Sequence, residues 1–146
     1  MNNFSIQRND RFQLFLILIC LFLFLTIGTA QARQGLLLQV SDADPKKWNL
    51  VLNIAKNAPR NSQEPIDVVI IAYGPGLKML TKDSKVANRI ESATGSGVEF
   101  RACGMTMNKL KLKDSDLYPS PQVKRVKGGV LEIMRLHTAG YTYVRP

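Results

Sequence analysis

Soft metal ligands are nearly missing from this chain, which has two cysteines and one histidine in 146 residues. A structural zinc site takes four such ligands, so no metal centre is expected within one copy of the chain. Long charge runs of one sign are absent too. Lysine and arginine outnumber aspartate and glutamate by 20 to 11, for a net charge of +9. These basic residues are scattered and are not interleaved with aromatics, whereas bases stack on aromatic side chains along a basic track. Nucleic acid is therefore not an expected partner, and the excess reads as a solvated basic surface able to draw small anions. Internal repeats and low-complexity segments are lacking. The glycine-rich turn "GPG", Gly74 to Gly76, has no lysine and hydroxyl pair behind it, which sets it apart from a phosphate loop.

Apolar sequence, by contrast, is abundant at the start. Arg8 and Arg11 precede "FQLFLILICLFLFLTIG", an uncharged and almost wholly apolar run, and "AQA" (Ala30, Gln31, Ala32) closes it. A basic start, an apolar middle and a small-residue end describe a secretory signal peptide over residues 1–32, cleaved after Ala32. That places the remainder in the periplasm. The run approaches the ~18 residues of a spanning helix, so the rival expectation is a retained anchor, and membrane contact is expected only then. Residues 33–146 suffice for one domain with a core and are too few for two. Cys20 leaves with the signal. Cys103 then has no intramolecular partner, which excludes a disulfide framework. A lone thiol in an oxidising compartment is buried and inert, paired between chains, or chemically active.

The rest of the chain alternates strands with helices. "GLLLQV" (Gly35 to Val40) predicts a first strand. Asp44 is a natural N-cap and Pro45 fits the first helical position. Trp48, Val51, Leu52 and Ala55 then recur at helical spacing, until "NAPRNSQEP" is expected to break the helix. "IDVVIIAYG" (Ile66 to Gly74) is apolar and β-branched throughout, as suits a central parallel strand covered on both faces. "GPGLKML" opens a short helix, and another runs from about Lys85 to Thr94. "VEFRAC" (Val98 to Cys103) is the third strand, "GMTMNKL" a helical segment and "VKRVK" a fourth strand. "GGVLEIMRLHTAGY" is an amphipathic helix closed by Gly140 in a left-handed cap, and "YTYV" makes a last strand. In that helix Val130, Ile133, Met134 and His137 form the expected core-facing stripe, which makes His137 a packed residue more readily than a catalytic base. The pattern predicts a three-layer α/β sandwich around a mostly parallel sheet of about five strands.

In such sheets the loops at the carboxyl ends of the strands share one edge, where ligands gather. Here they are "SDADP", "YGPG", "ACGMT" and "KGGV". Cys103 is therefore the candidate catalytic residue. Thiols attack as thiolates and free cysteine titrates near ~8.5, but a helix start lowers that value. Gly104 lets backbone amides approach an anion closely, and the Thr106 hydroxyl supplies a further donor. Gly74 and Gly76 form a second candidate anion cradle, although a tight turn needs the same glycines. Asp42 and Asp44 share this edge, where capping is the simpler role for Asp44.

The ordered signatures "DPKKWNLVLNIAKN", "VVIIAYGPGLKMLTKDS", "GVEFRACGMTM" and "GGVLEIMRLHTAGYTYVRP" resemble the DsrE/DsrF-like proteins, the sulfur-relay family. The resemblance runs from about Leu36 to Pro146 and is closest to an exported branch. It implies a flavodoxin-like fold and assembly into homo-oligomers, trimers or hexamers. It also implies a cysteine, here Cys103, that accepts and passes on persulfide sulfur, with a sulfur donor or acceptor protein or a small sulfur anion as partner. Relatives commonly carry asparagine where this chain has Met105. A flavodoxin-like fold does not by itself bring a nucleotide or flavin, and no cofactor is expected. The function expected is a periplasmic persulfide carrier or sulfurtransferase-like protein. The alternative is an oligomeric module that binds a small anion or a protein, its thiol incidental.

Overall fold

The first apolar run becomes strand β1 (Gln34–Val40) and the β-branched run becomes β2 (Ile66–Ala72), both buried along most of their length. With β3 (Glu99–Cys103), β4 (Val123–Val126) and β5 (Tyr141–Val144) they form one sheet in the order β4-β3-β2-β1-β5. All pairings are parallel, as expected of runs too apolar to leave one face in water. This computed structural model describes residues 34–146 and, apart from them, residues 13 and 15. Apart from those two residues, the signal peptide expected over residues 1–32 lies outside the described residues. Among the described residues no helix is long and apolar enough to cross a membrane.

Helix α1 (Pro45–Asn61) begins as its sequence predicts: the Asp44 carboxylate accepts the Lys46 N–H at 2.9 Å, with Pro45 in the first turn. Trp48, Val51, Leu52 and Ala55 form its buried stripe. The expected break falls inside "NAPRNSQEP", where the helix passes through Pro59 and ends at Asn61. Pro59 removes one N–H close to the end, and the Asn61 side-chain amide holds that last turn by donating to the Asn57 carbonyl at 2.8 Å. After β2 the segment Gly74–Leu80 winds as a 3-10 helix. Helices α2 (Ala87–Gly95), α3 (Gly104–Lys109) and α4 (Gly129–Thr138) follow.

Alternate residues of the strands serve two unequal cores. Leu38, Val40, Val68, Ile70, Ala72, Phe100 and Ala102 pack with α1, the 3-10 helix, α2 and α3. Leu37, Val69 and Ile71 face α4, through its buried Leu136 and the adjoining Ile133. Side chains such as Ile70 and Phe100 are wholly buried, each worth roughly 1.5–3 kcal/mol against exposure. The order of strands dictates this division. Right-handed crossovers from β1 to β4 step in one direction and stack their helices on one face, while the return from β4 to β5 runs the other way.

Helix α4 corrects one expectation. Val130, Met134 and His137 are exposed, and the helix turns Gly129, Ile133 and Leu136 toward the sheet. Its apolar residues surround more than one side, so spacing alone does not choose the face. Gly129 chooses it: a Cβ there would meet Tyr73 Cβ at 3.1 Å and Cys103 Cβ at 3.3 Å. A side chain there would press on both neighbours, so glycine favours this close helix start.

Candidate functional site

Cys103 ends β3, and its neighbour across the ladder, Val126, ends β4. From β3 the chain turns into α3, on the face of the main core. From β4 it turns into α4, on the opposite face. The carboxyl ends of β3 and β4 therefore flank the point where successive connections diverge, the crevice in which open α/β sheets hold ligands. Cys103 is a free thiol, buried to 5% exposure.

Two glycines let the backbone close around it. A Cβ on Gly104 would lie 2.7 Å from the Val126 carbonyl oxygen, so α3 starts hard against β4. Arg125 then ties the two together, its guanidinium donating to Asn108 at 2.6 Å and to Asp114 at 3.2 Å. Gly129 brings the first amide of α4 over the sulfur in the same manner.

Burial alone pushes the Cys103 thiol up. The Thr106 hydroxyl and the N–H groups of Thr106, Gly129 and Met105 outweigh that and hold its pKa below the ordinary thiol value. The sulfur does not cap α3 as an oxygen would, since it lacks the geometry of a side-chain cap bond. It sits instead where donors from two helix starts converge. Thr106 is itself oriented, because its Oγ1 accepts the Gly74 N–H at 3.0 Å. With that lone pair occupied, the single hydroxyl proton is free to turn to the sulfur.

This geometry assigns the "GPG" turn a different part from an anion cradle. The Gly74 amide is spent on Thr106, and the Gly76 amide is shared between the carbonyls of Ser41 and Tyr73, each at 3.1 Å. Gly74 has φ +53, and a Cβ on Gly76 would strike the Val40 carbonyl oxygen at 2.5 Å. The turn thus sets Thr106 in place and leaves neither glycine amide open. Asp44 is occupied as the cap of α1. The Asp42 carboxylate holds Lys47 at 2.9 Å, and its carbonyl accepts the Trp48 indole N–H at 2.7 Å. His137 lies exposed on α4 and takes no part. Among the described residues no group of His, Cys, Asp and Glu could hold a metal ion.

Two contributors escape a reading of the sequence. The Gly129 amide comes from a separate loop, and its only signal is that "KGGV" shares the ligand edge. Tyr73 packs beside Gly129, and its phenol is raised above its usual range by burial and by Tyr143, against the pull of Arg145 and a hydrogen bond with Gln39. Tyr143 donates to the same Gln39. Met105 stands at the mouth, exposed, with its sulfur 3.2 Å from where a Cβ of Gly128 would be.

Comparison with known proteins follows the same lines. The sequence profile of the DsrE/DsrF-like family matches residues 34–146. The chain is similar to a solved protein of unknown function, MTH1491 from Methanobacterium thermoautotrophicum, with 26% identity and a TM-score of 0.72. That match covers 77% of this chain and 99% of the other, so the shared fold stands in a protein with almost nothing added. A second protein of unknown function, BT1422 from Bacteroides thetaiotaomicron, shares the fold at 16% identity and a TM-score of 0.53, over 82% of this chain and 100% of that one. No functionally curated protein matches.

Proposed function

The chain belongs to the DsrE/DsrF-like family, and from that premise we propose that it is an exported persulfide carrier acting through Cys103. One arrangement carries the reading: the buried Cys103 lies at the start of α3 with Gly129 of α4 packed against it, and the Thr106 hydroxyl and neighbouring amides there hold its pKa below the ordinary thiol value. The Cys103 thiolate attacks the outer sulfur of a donor persulfide. The donor's S–S bond breaks, a Cys103 persulfide forms, and the donor leaves as a thiolate, with no net oxidation. An acceptor thiolate then takes the outer sulfur and restores the Cys103 thiolate. The donors that hold the thiolate are equally placed to hold the persulfide anion.

Export is supported by the basic, apolar and small-residue order of residues 1–32. Assembly into a homo-oligomer is supported by the exposed apolar side of α4, where Val130, Leu131 and Met134 are each more than half exposed. Exposed apolar side chains mark contact surfaces when they join into a large contiguous patch.

The test is mass spectrometry after incubation with thiosulfate or polysulfide. The expected result is an adduct of one sulfur atom, removed by a thiol reductant and absent from Cys103→Ser. Iodoacetamide should also modify Cys103 with a pH midpoint below that of an unstructured thiol. A folded protein that takes no sulfur from either donor would falsify the carrier reading. The competing reading, a binding module with an incidental thiol, draws on the 5% exposure of Cys103 and expects that negative result.

A further inference from the structure

At the end of the sheet opposite Cys103, α1 and α2 splay apart over the starts of β2 and β3. The gap between them is a groove of about 430 Å³, within the ~300–1,000 Å³ typical of small-molecule sites. Its floor is apolar: Leu52, Ala55, Val68 and Val98 are buried, and Ile66 and Ala93 are half-buried. Its cationic rim consists of Lys56 and Arg60 on α1 and Arg89 on α2, and no carboxylate lines it. None of these cations has a carboxylate partner among the described residues. Arg89 is fixed without being neutralised. Its guanidinium donates to the Asn49 carbonyl oxygen at 3.3 Å, to the Asn49 side chain, and to Asn53 Oδ1 at 2.7 Å.

We propose that this groove binds a free amphipathic carboxylate, with its alkyl chain along the floor and its head among Lys56, Arg60 and Arg89. The complementarity is twofold. An apolar floor disfavours a fully hydrated ion such as phosphate, since burying it there would strip its water without replacement. A rim of uncompensated positive charge disfavours a cationic amphiphile and gains less from a neutral one. Arg89, held by neutral amides, offers a pre-positioned partner and loses little freedom on binding. Nothing in this proposal depends on the chemistry at Cys103.

The experiment uses residues 33–146, a length close to that of the free-standing relative that shares this fold. Octanoate is titrated by calorimetry at low salt, beside acetate, octanol and octyltrimethylammonium. The expected order places octanoate first, with at least tenfold weaker binding when Lys56 and Arg60 are both changed to Gln. Ser92 lines the groove and is exposed, so Ser92→Trp should fill the space and abolish binding. Should that variant not fold, amide NMR of the unchanged protein decides instead, with octanoate shifting Ser92, Ser96 and Gly97 and leaving Met105 unmoved. Equal binding of octanol or octyltrimethylammonium overturns the proposal, as does equal binding of acetate. Absence of octanoate binding, or shifts confined to other surfaces, also overturns it. The iodoacetamide rate of Cys103 should not change with octanoate, which separates failure here from failure of the carrier reading.

Discussion

Thr106 sits between two partners: its Oγ1 accepts the Gly74 N–H at 3.0 Å, and its hydroxyl helps hold the Cys103 thiol below its ordinary pKa. Thr106→Val keeps the shape and removes both interactions. The Gly74 amide then loses its acceptor, at a cost of about 1–3 kcal/mol, read by urea unfolding. The thiol midpoint for iodoacetamide should move up toward the ordinary value, and Thr106→Ser should restore it. The pH dependence follows from the direction of the shift. Between the folded and unfolded thiol pKa values the unfolded chain holds more protons, so stability rises with pH there. That contribution is full above the ordinary thiol value and disappears as pH falls through the folded one. Thr106→Val should flatten this slope. The places of Cys103 and Thr106, at and just beyond the end of a buried strand, were legible in the sequence. The Gly74 bond was not, because a contact across 32 residues leaves no periodic trace.

Among the elements, α4 shows what spacing can and cannot decide. Its existence and its Gly140 stop follow from the sequence, and Gly140 indeed has φ +92. Its facing does not, since Val130, Leu131 and Met134 would make as good an apolar stripe as the residues that are buried. A close approach between Gly129, Tyr73 and Cys103 settles the matter, and the absence of a side chain is a weak signal in a string of letters. The adjoining glycines give a direct comparison. In Gly129→Ala the new methyl meets Tyr73 and Cys103 at 3.1–3.3 Å, pressing α4 to ease back by a few tenths of an ångström, at about 1–3 kcal/mol. The same retreat withdraws an amide from the sulfur and slows alkylation at neutral pH. In Gly128→Ala the nearest atom is the flexible Met105 sulfur, and the change should be tolerated with the thiol midpoint unmoved. Differential alkylation and thermal melts on the two variants distinguish these outcomes. Helix α1 needed no such help: its cap, its proline, its stripe and its end within "NAPRNSQEP" all agree.

At the largest scale, the sheet is covered unequally among the described residues, by α1, α2 and α3 on one face and by α4 on the other. The parallel order was legible in the continuous apolar strands, while the imbalance is a property of topology that no single segment carries. The outward apolar side of α4 is the surface on which assembly is proposed. Leu131→Asp should shift light-scattering mass toward a monomer, raising the dissociation constant on the order of tenfold or more per contact. Leu131 is 54% exposed, so the melting temperature of the separated chain should hardly change. A wild-type protein that is already monomeric at high concentration removes that part of the proposal.

The pairing of β5 with β1 also has a consequence for how the sheet closes. Gly35 is partnered with Tyr141, whose ring occupies the space a side chain at Gly35 would need, with its nearest atom 2.4 Å from that Cβ position. The two residues stand far apart in sequence, so β1 gains its second neighbour only through a contact that spans most of the described chain. A bulkier residue at position 35 would push against that contact, and its effect would be felt at both ends of the domain at once.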